Sequence, residues 1–263
     1  MDHIRTKHLV EKSSADYEEQ SCKHNDGTYY DIRCLYLSPF RVLIKPRLLI
    51  PELTQLYSNS PTTMTKIAIV YYSTYGHVAK LANAAKKGIE SVGGVTATIY
   101  QVQETLPEEV LTKMHAPPKG DHPIATIDTL KEADGILFGF PCRFGSMPAQ
   151  VKAFFDSCGS LWATGALVGK TGGLFFSTGT QGGGQETTAF TAVTFLAHQG
   201  LTYVPLGYRG KELLNMDEMH GGSPWGAGTL AKSDGSRQPS ELELALATTQ
   251  GKSFAEVTKK LAA

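Results

Sequence analysis

The sequence is short of cysteine and of net charge, and it has no long apolar run. Four cysteines in 263 residues (Cys22, Cys34, Cys142 and Cys158) are too few for a disulfide scaffold. Basic and acidic residues number 25 each, and the balance holds locally, with 8 of each sign up to Thr65 and 17 of each after it. Neither part carries the field that draws in nucleic acid or anionic lipid. No apolar stretch approaches the roughly 18 residues of a membrane span. The N-terminus lacks an uninterrupted apolar core, and its acids, among them Asp2, Glu11 and Asp16, argue against an acid-poor transit peptide. N-x-S/T is also absent, since Asn59-Ser60 is followed by Pro61. These deficits set aside nucleic-acid partners, transmembrane segments and secretion, and they leave a soluble cytoplasmic protein as the expectation.

One scarcity is regional. Of 27 glycines only Gly27 precedes Lys66. The remaining 26 make up roughly 13% of the chain that follows, against about 7% in ordinary proteins. The chain therefore reads as two unlike parts. Residues 1–63 show no clean period and are broken in their apolar half by Pro39, Pro46 and Pro51. Cys22, His24 and Cys34 match no zinc spacing well, so this part is expected to be a poorly ordered extension of unassigned role. Met64, directly before the first strong strand, raises the expectation that translation normally starts there and that 1–63 is an optional extension or a gene-model error, which mass spectrometry of the native protein would test.

From residue 64 onward strand and helix patterns alternate. The run KIAIVYY (66–72) is apolar and β-branched, the habit of a strand buried on both faces. A helix follows, with Val78, Leu81, Ala82, Ala85, Ile89 and Val92 on one face and Gly93-Gly94 as its stop. Further strands are expected at 95–102, 134–140, 171–177 and 201–206. Helices are expected from Pro148 to Cys158, from Gln185 to about His198, and from Pro239 to the C-terminus. Long connections span 103–133, with a short helix expected at Glu108–Met114 and a helical turn at Ile127–Ala133, and 207–238. Such alternation gives an α/β fold. Five units in about 200 residues match a flavodoxin-like, doubly wound, five-stranded parallel sheet of order 2-1-3-4-5 with helices on both faces.

In that arrangement a ligand sits beyond the carboxyl ends of the strands where their order reverses. The rule selects three loops before any motif is invoked. Ser73, Thr74, Tyr75, Gly76 and His77 bring hydroxyls and a glycine to a helix N-terminus, whose free N–H groups and dipole favour phosphate. Cys142, Arg143 and Phe144 put a guanidinium beside an aromatic ring, a combination that can line a planar ligand. Ser177, Thr178, Gly179, Thr180, Gln181 and Gly182 open a stretch with four glycines in six positions (179–184), which makes sense where backbone must approach a ligand closely. Each loop also has a plainer reading, as N-cap, turn or flexible link. GALVGKT (165–171) is one residue short of a P-loop and leads into a strand, and 179–184 does not fit G-x-G-x-x-G. A phosphate loop of neither form on this topology points to a mononucleotide, with FMN the natural candidate.

YYSTYGH (71–77), STGTQGGGQETT (177–188), GGSPWGAG (221–228) and DGSRQPSELEL (234–244) together resemble the WrbA-type flavodoxin-like NAD(P)H:quinone oxidoreductases. The likeness covers about 64–263 and is strongest to fungal members, some of them described as minor allergens. It implies FMN held by Ser73 to Val78, by Cys142, Arg143 and Phe144, and by Ser177 to Gly182, with His198 near the flavin. It further implies a nicotinamide nucleotide (NADH or NADPH) against Tyr75, a quinone substrate against Trp162, and ping-pong transfer of hydride through the flavin in protection against oxidative stress. Family members are typically tetramers whose site is completed by neighbouring subunits, and segments 103–133 and 207–238 are candidates for that contact. Two departures stand out: Cys142 replaces a usual threonine, and His198-Gln199 replaces a pair of histidines found in many bacterial members. The competing readings are a one-electron flavodoxin-type carrier, which the neutral charge disfavours, and a non-catalytic flavin-binding partner protein. No metal site is expected.

Overall fold

The computed structural model describes residues 19–23, 29–33 and 64–263, and the chain divides into two compact units, 1–60 and 61–263. In the first unit β1 (Glu19–Lys23) and β2 (Tyr29–Arg33) pair antiparallel, with Cys22 opposite Tyr30. The sequence reading assigned no element there. His24 and Cys34 lie outside the described residues.

In the second unit β3 (Thr65–Tyr71) is flanked by β4 (Val95–Gln101) and β5 (Gly135–Pro141), and β5 by β6 (Thr171–Thr178), all parallel. The fifth position is shared by two short strands. β7 (Thr202–Tyr203) pairs the start of β6, and β8 (Gly228–Leu230) pairs its end. The order β4-β3-β5-β6-β7 is the expected 2-1-3-4-5. The fifth strand itself is much shorter than 201–206. Pairing lapses after the Val204 N–H reaches Gly172, and 228–230 supplies the missing edge.

β3 shows how the sheet earns its two cores. Ile67, Ile69 and Tyr71 point to one face, under α1 (His77–Glu90) and α7 (Glu241–Ala262). Ala68, Val70 and Tyr72 point to the other, under α4 (Ala149–Asp156), α5 (Gly159–Thr164) and α6 (Gln185–His198). Period-2 alternation with apolar residues at both phases is what a strand covered on both sides requires. α1 and α7 approach closely because Gly88 faces the Thr248 carbonyl and Gly251 faces the Ala85 backbone, where a Cβ would lie about 2 Å from the opposing oxygen. Two short helices, α2 (Glu108–Lys113) and α3 (Ile127–Glu132), interrupt the long 103–133 connection. The helix expected from Pro148 to Cys158 instead has Pro148 as its cap, ends at Asp156 and is followed by α5. Among the described residues no helix is long and apolar enough to cross a membrane.

Candidate functional site

The carboxyl ends of β3, β5 and β6 open into one cleft of about 450 Å³. After β3, the Ser73 hydroxyl accepts the Gly76 N–H at 3.0 Å, and Gly76 takes φ 87° to turn the chain into α1. No side chain caps α1, so the N–H groups of its first turn remain available to an anion. Thr74 and His77 are buried beside this turn, and the His77 ring N–H donates to the Arg237 carbonyl at 2.9 Å, since a carbonyl can only accept. Val78 belongs to the core, which leaves its backbone alone for a ligand.

After β5, Arg143 and Ser146 exchange both backbone hydrogen bonds, with Phe144 (φ 54°) and Gly145 (φ 77°) between them. That is a two-residue turn with both central residues left-handed. It thrusts the Phe144 ring wholly into solvent, at 105% exposure. The sequence left Arg143 open between cleft and solvent. The guanidinium in fact turns inward, donating to the Thr74 hydroxyl at 3.1 Å and to the Cys142 carbonyl at 2.9 Å. Cys142 makes two polar contacts: its sulfur accepts the Gly145 N–H and its thiol donates to the Gly183 carbonyl. After β6, Ser177, Thr178 and Gly179 line the cleft. Thr180, Gln181 and Gly182 are exposed and stand outside its lining.

Two further walls were not read as site residues. One is Met114 and His115, from the 103–133 connection. The other is Ala231 to Gly235, between β8 and α7. The second wall hangs on Glu243, which is fully buried and accepts from the Gly221, Leu230 and Ser240 N–H groups, the Thr229 hydroxyl and Arg237. A signal for it was present, because Ser240-x-x-Glu243 is a capping-box pattern and Asp234-Gly235 a turn pair. His115, Phe144 and Lys232 are the three positive-φ residues other than glycine among those described, and two of them line this cleft. Backbone strain of this kind gathers at functional sites.

Trp162 and His198 are not brought to the cleft. α6 begins at the glycine loop and runs back along the sheet, so 14 residues carry His198 about 20 Å away. Trp162 lies on α5, 64% exposed, ahead of the loop that enters β6 from its other end. A Gly169 N–H to Gly200 carbonyl bond ties the two neighbourhoods together. Within one chain, therefore, His198 is not beside the loops that would hold a flavin, because the helix that carries it spans the length of the sheet. Cys158, read as core, is fully buried, and burial pushes its thiol up to about 11.

The donor set fits a phosphorylated, planar ligand: an uncapped helix end, the hydroxyls of Ser73, Thr74, Ser177 and Thr178, and a cleft of ring size. Residues 65–210 match the family described as NADPH-dependent FMN reductase. The chain is 63% identical over 198 residues to quinone-oxidoreductase QR2 of Triphysaria versicolor, covering 75% of this chain and 97% of that one. It is 58% identical over 197 residues to the NAD(P)H quinone oxidoreductase PST3 of Candida albicans (74% and 98%) and 57% identical over 200 residues to the minor allergen Alt a 7 of Alternaria alternata (74% and 97%). A solved WrbA-like flavodoxin from Agrobacterium tumefaciens superposes with TM-score 0.52 at 23% identity, over 74% of this chain and 98% of that one, a likeness of fold.

Proposed function

The chain belongs to the NADPH-dependent FMN reductase family and, within it, to the WrbA-type NAD(P)H:quinone oxidoreductases, and from that premise we propose that it reduces quinones to hydroquinones with NADH or NADPH through bound FMN. The observation that carries this is the uncapped amino end of α1 opening into a hydroxyl-lined cleft at the reversal of strand order. Bound there, FMN would supply two-electron chemistry, accepting hydride from the nicotinamide nucleotide and passing it to the quinone in a ping-pong cycle. Transfer in pairs avoids radical quinones, which is the basis for a protective role under oxidative stress.

The chain's own residues divide the labour. Ser73, Thr74 and the first-turn N–H groups of α1 bind the phosphate. Arg143, held by Thr74 and the Cys142 carbonyl, keeps a positive charge at the cleft floor, where it favours an electron-rich ring. Tyr75, half exposed, borders the face open to a nicotinamide. Trp162 and His198 serve the quinone from a neighbouring copy of the chain. Their exposure, and their distance from the cleft of their own chain, support a homotetramer in which one subunit's far end completes another's site. The test is an anaerobic titration. The purified protein should show flavin absorbance, lose it on adding NADH or NADPH, and regain it with benzoquinone. A spectrum unmoved by either nucleotide would overturn the proposal.

A further inference from the structure

The phosphate loop is gripped at three consecutive residues by one segment, 104–119. The Lys119 ammonium donates to the Ser73 carbonyl at 3.0 Å. The Thr74 hydroxyl reaches the Tyr72 hydroxyl at 3.5 Å, which donates in turn to the Glu104 carboxylate at 2.9 Å. The Tyr75 hydroxyl donates to the Met114 carbonyl at 3.2 Å. Glu104 is the pivot. One oxygen accepts from the Thr105 and Leu106 N–H groups and from the Gln150 amide, and the other accepts from Tyr72 and pairs with Lys119 at 2.9 Å. Lys119 also lies over the Tyr72 ring, 4.8 Å from its centre.

The segment 103–133 read from sequence as a candidate subunit contact. Its first half is tied inward, to the loop that would hold the phosphate. We propose that Glu104 is a positioning residue for FMN: it fixes Lys119 and Tyr72, and through them the Ser73 carbonyl and the Thr74 hydroxyl, in the conformation that receives the phosphate. This rests on the flavin reading of the cleft. The side chain of Glu104 is 12% exposed, so its charge is partly withdrawn from water and is worth more than a surface pair. Burial pushes its carboxyl up, but the bonds from Lys119, Leu106, Tyr72 and Thr105 outweigh that and hold it down at about 2. Burial and the bond to Glu104 push the Tyr72 phenol up to about 12, against a smaller downward pull from Thr74, so it remains a donor. An amide at position 104 keeps the shape but removes the charge, and whichever way it is turned its N–H₂ faces either the Lys119 ammonium or the Thr105 and Leu106 N–H groups, which can only donate.

The test measures FMN dissociation constants by flavin fluorescence, and apoprotein unfolding midpoints, for wild type, Glu104→Gln, Tyr72→Phe, Lys119→Met and the Glu104→Gln/Lys119→Met double variant. Glu104→Gln should weaken FMN binding by about ten- to a hundredfold. Each of the other single variants should weaken it less, and the double variant should match Glu104→Gln alone, because Lys119 acts through the same carboxylate. Wild-type affinity in all three single variants would overturn the inference, as would lowered midpoints with unchanged FMN affinity or losses that simply add in the double variant. A wild-type chain that takes up no FMN would overturn the flavin reading itself, and this inference with it.

Discussion

The two ends of the sheet differ in who satisfies their side chains. At the carboxyl end several groups of the cleft loops are held by others of the same chain: the Arg143 guanidinium by Thr74, the Ser73 carbonyl by Lys119, the His77 ring by the Arg237 carbonyl. At the amino end Trp162, Val168 and His198 stand exposed around the Gly169–Gly200 bond. Exposure alone does not separate the ends, since Phe144 beside the cleft is fully exposed as well; what sets Trp162 and His198 apart is that neither lines the cleft of its own chain. The contrast matches the proposed function, in which the cofactor site is built within one chain and Trp162 and His198 serve the quinone from a second copy.

The largest expected effect probes the built end. Glu243→Ala removes a buried carboxylate that holds Arg237 and four other donors. Unpaired buried partners should cost about 3–5 kcal/mol of stability, read by chemical denaturation. A loss below about 1 kcal/mol would mean that the 231–235 wall does not depend on this anchor. Next in size is Trp162→Ala, which should cut quinone turnover by about tenfold or more, close to 1.4 kcal/mol, and leave FMN affinity within twofold. Equal loss of both would erase the distinction between the two ends.

A smaller effect is pH-dependent. The folded-state pKa of Glu104 is depressed, to about 2 from an ordinary 4.5, so its contribution is in place above pH 4.5 and drains away as pH falls toward 2. The gap in thermal midpoint between wild type and Glu104→Gln should therefore be constant above pH 5 and close in acid. A gap that stays open at pH 2 would mean that the carboxylate charge is not what matters. The smallest effect is expected at Cys142. Serine preserves both its contacts and should be nearly neutral, whereas alanine forfeits them at a cost of about 1 kcal/mol.

The parts of this molecule that could be read from sequence are those whose signal is local. KIAIVYY and GILFGFP announce buried strands because nothing polar interrupts them. The three cleft loops follow from topology alone once the strands are placed. β8 escaped because three residues, GTL, in a glycine-rich stretch carry no period. α5 escaped because Ser157 to Gly159 reads as an end and not as a joint. The two unread walls of the cleft are set by bonds between distant residues, Tyr75 to Met114 and His77 to Arg237, 39 and 160 positions apart. Glu104 looks in sequence like any loop carboxylate, and its five donors come from four segments that only the fold brings together. How far Trp162 and His198 lie from the cleft of their own chain was not legible, because the resemblance names a role for each and no local signal gives a distance.

The division between the two ends can be tested by co-expressing two impaired chains, one carrying Arg143→Ala at the cleft and the other Trp162→Ala at the far end. If a cleft is completed by another subunit, mixed assemblies pair an intact cleft with an intact tryptophan, and quinone reductase activity should rise well above that of either variant alone. Activity no higher than the average of the two parents would contradict the account.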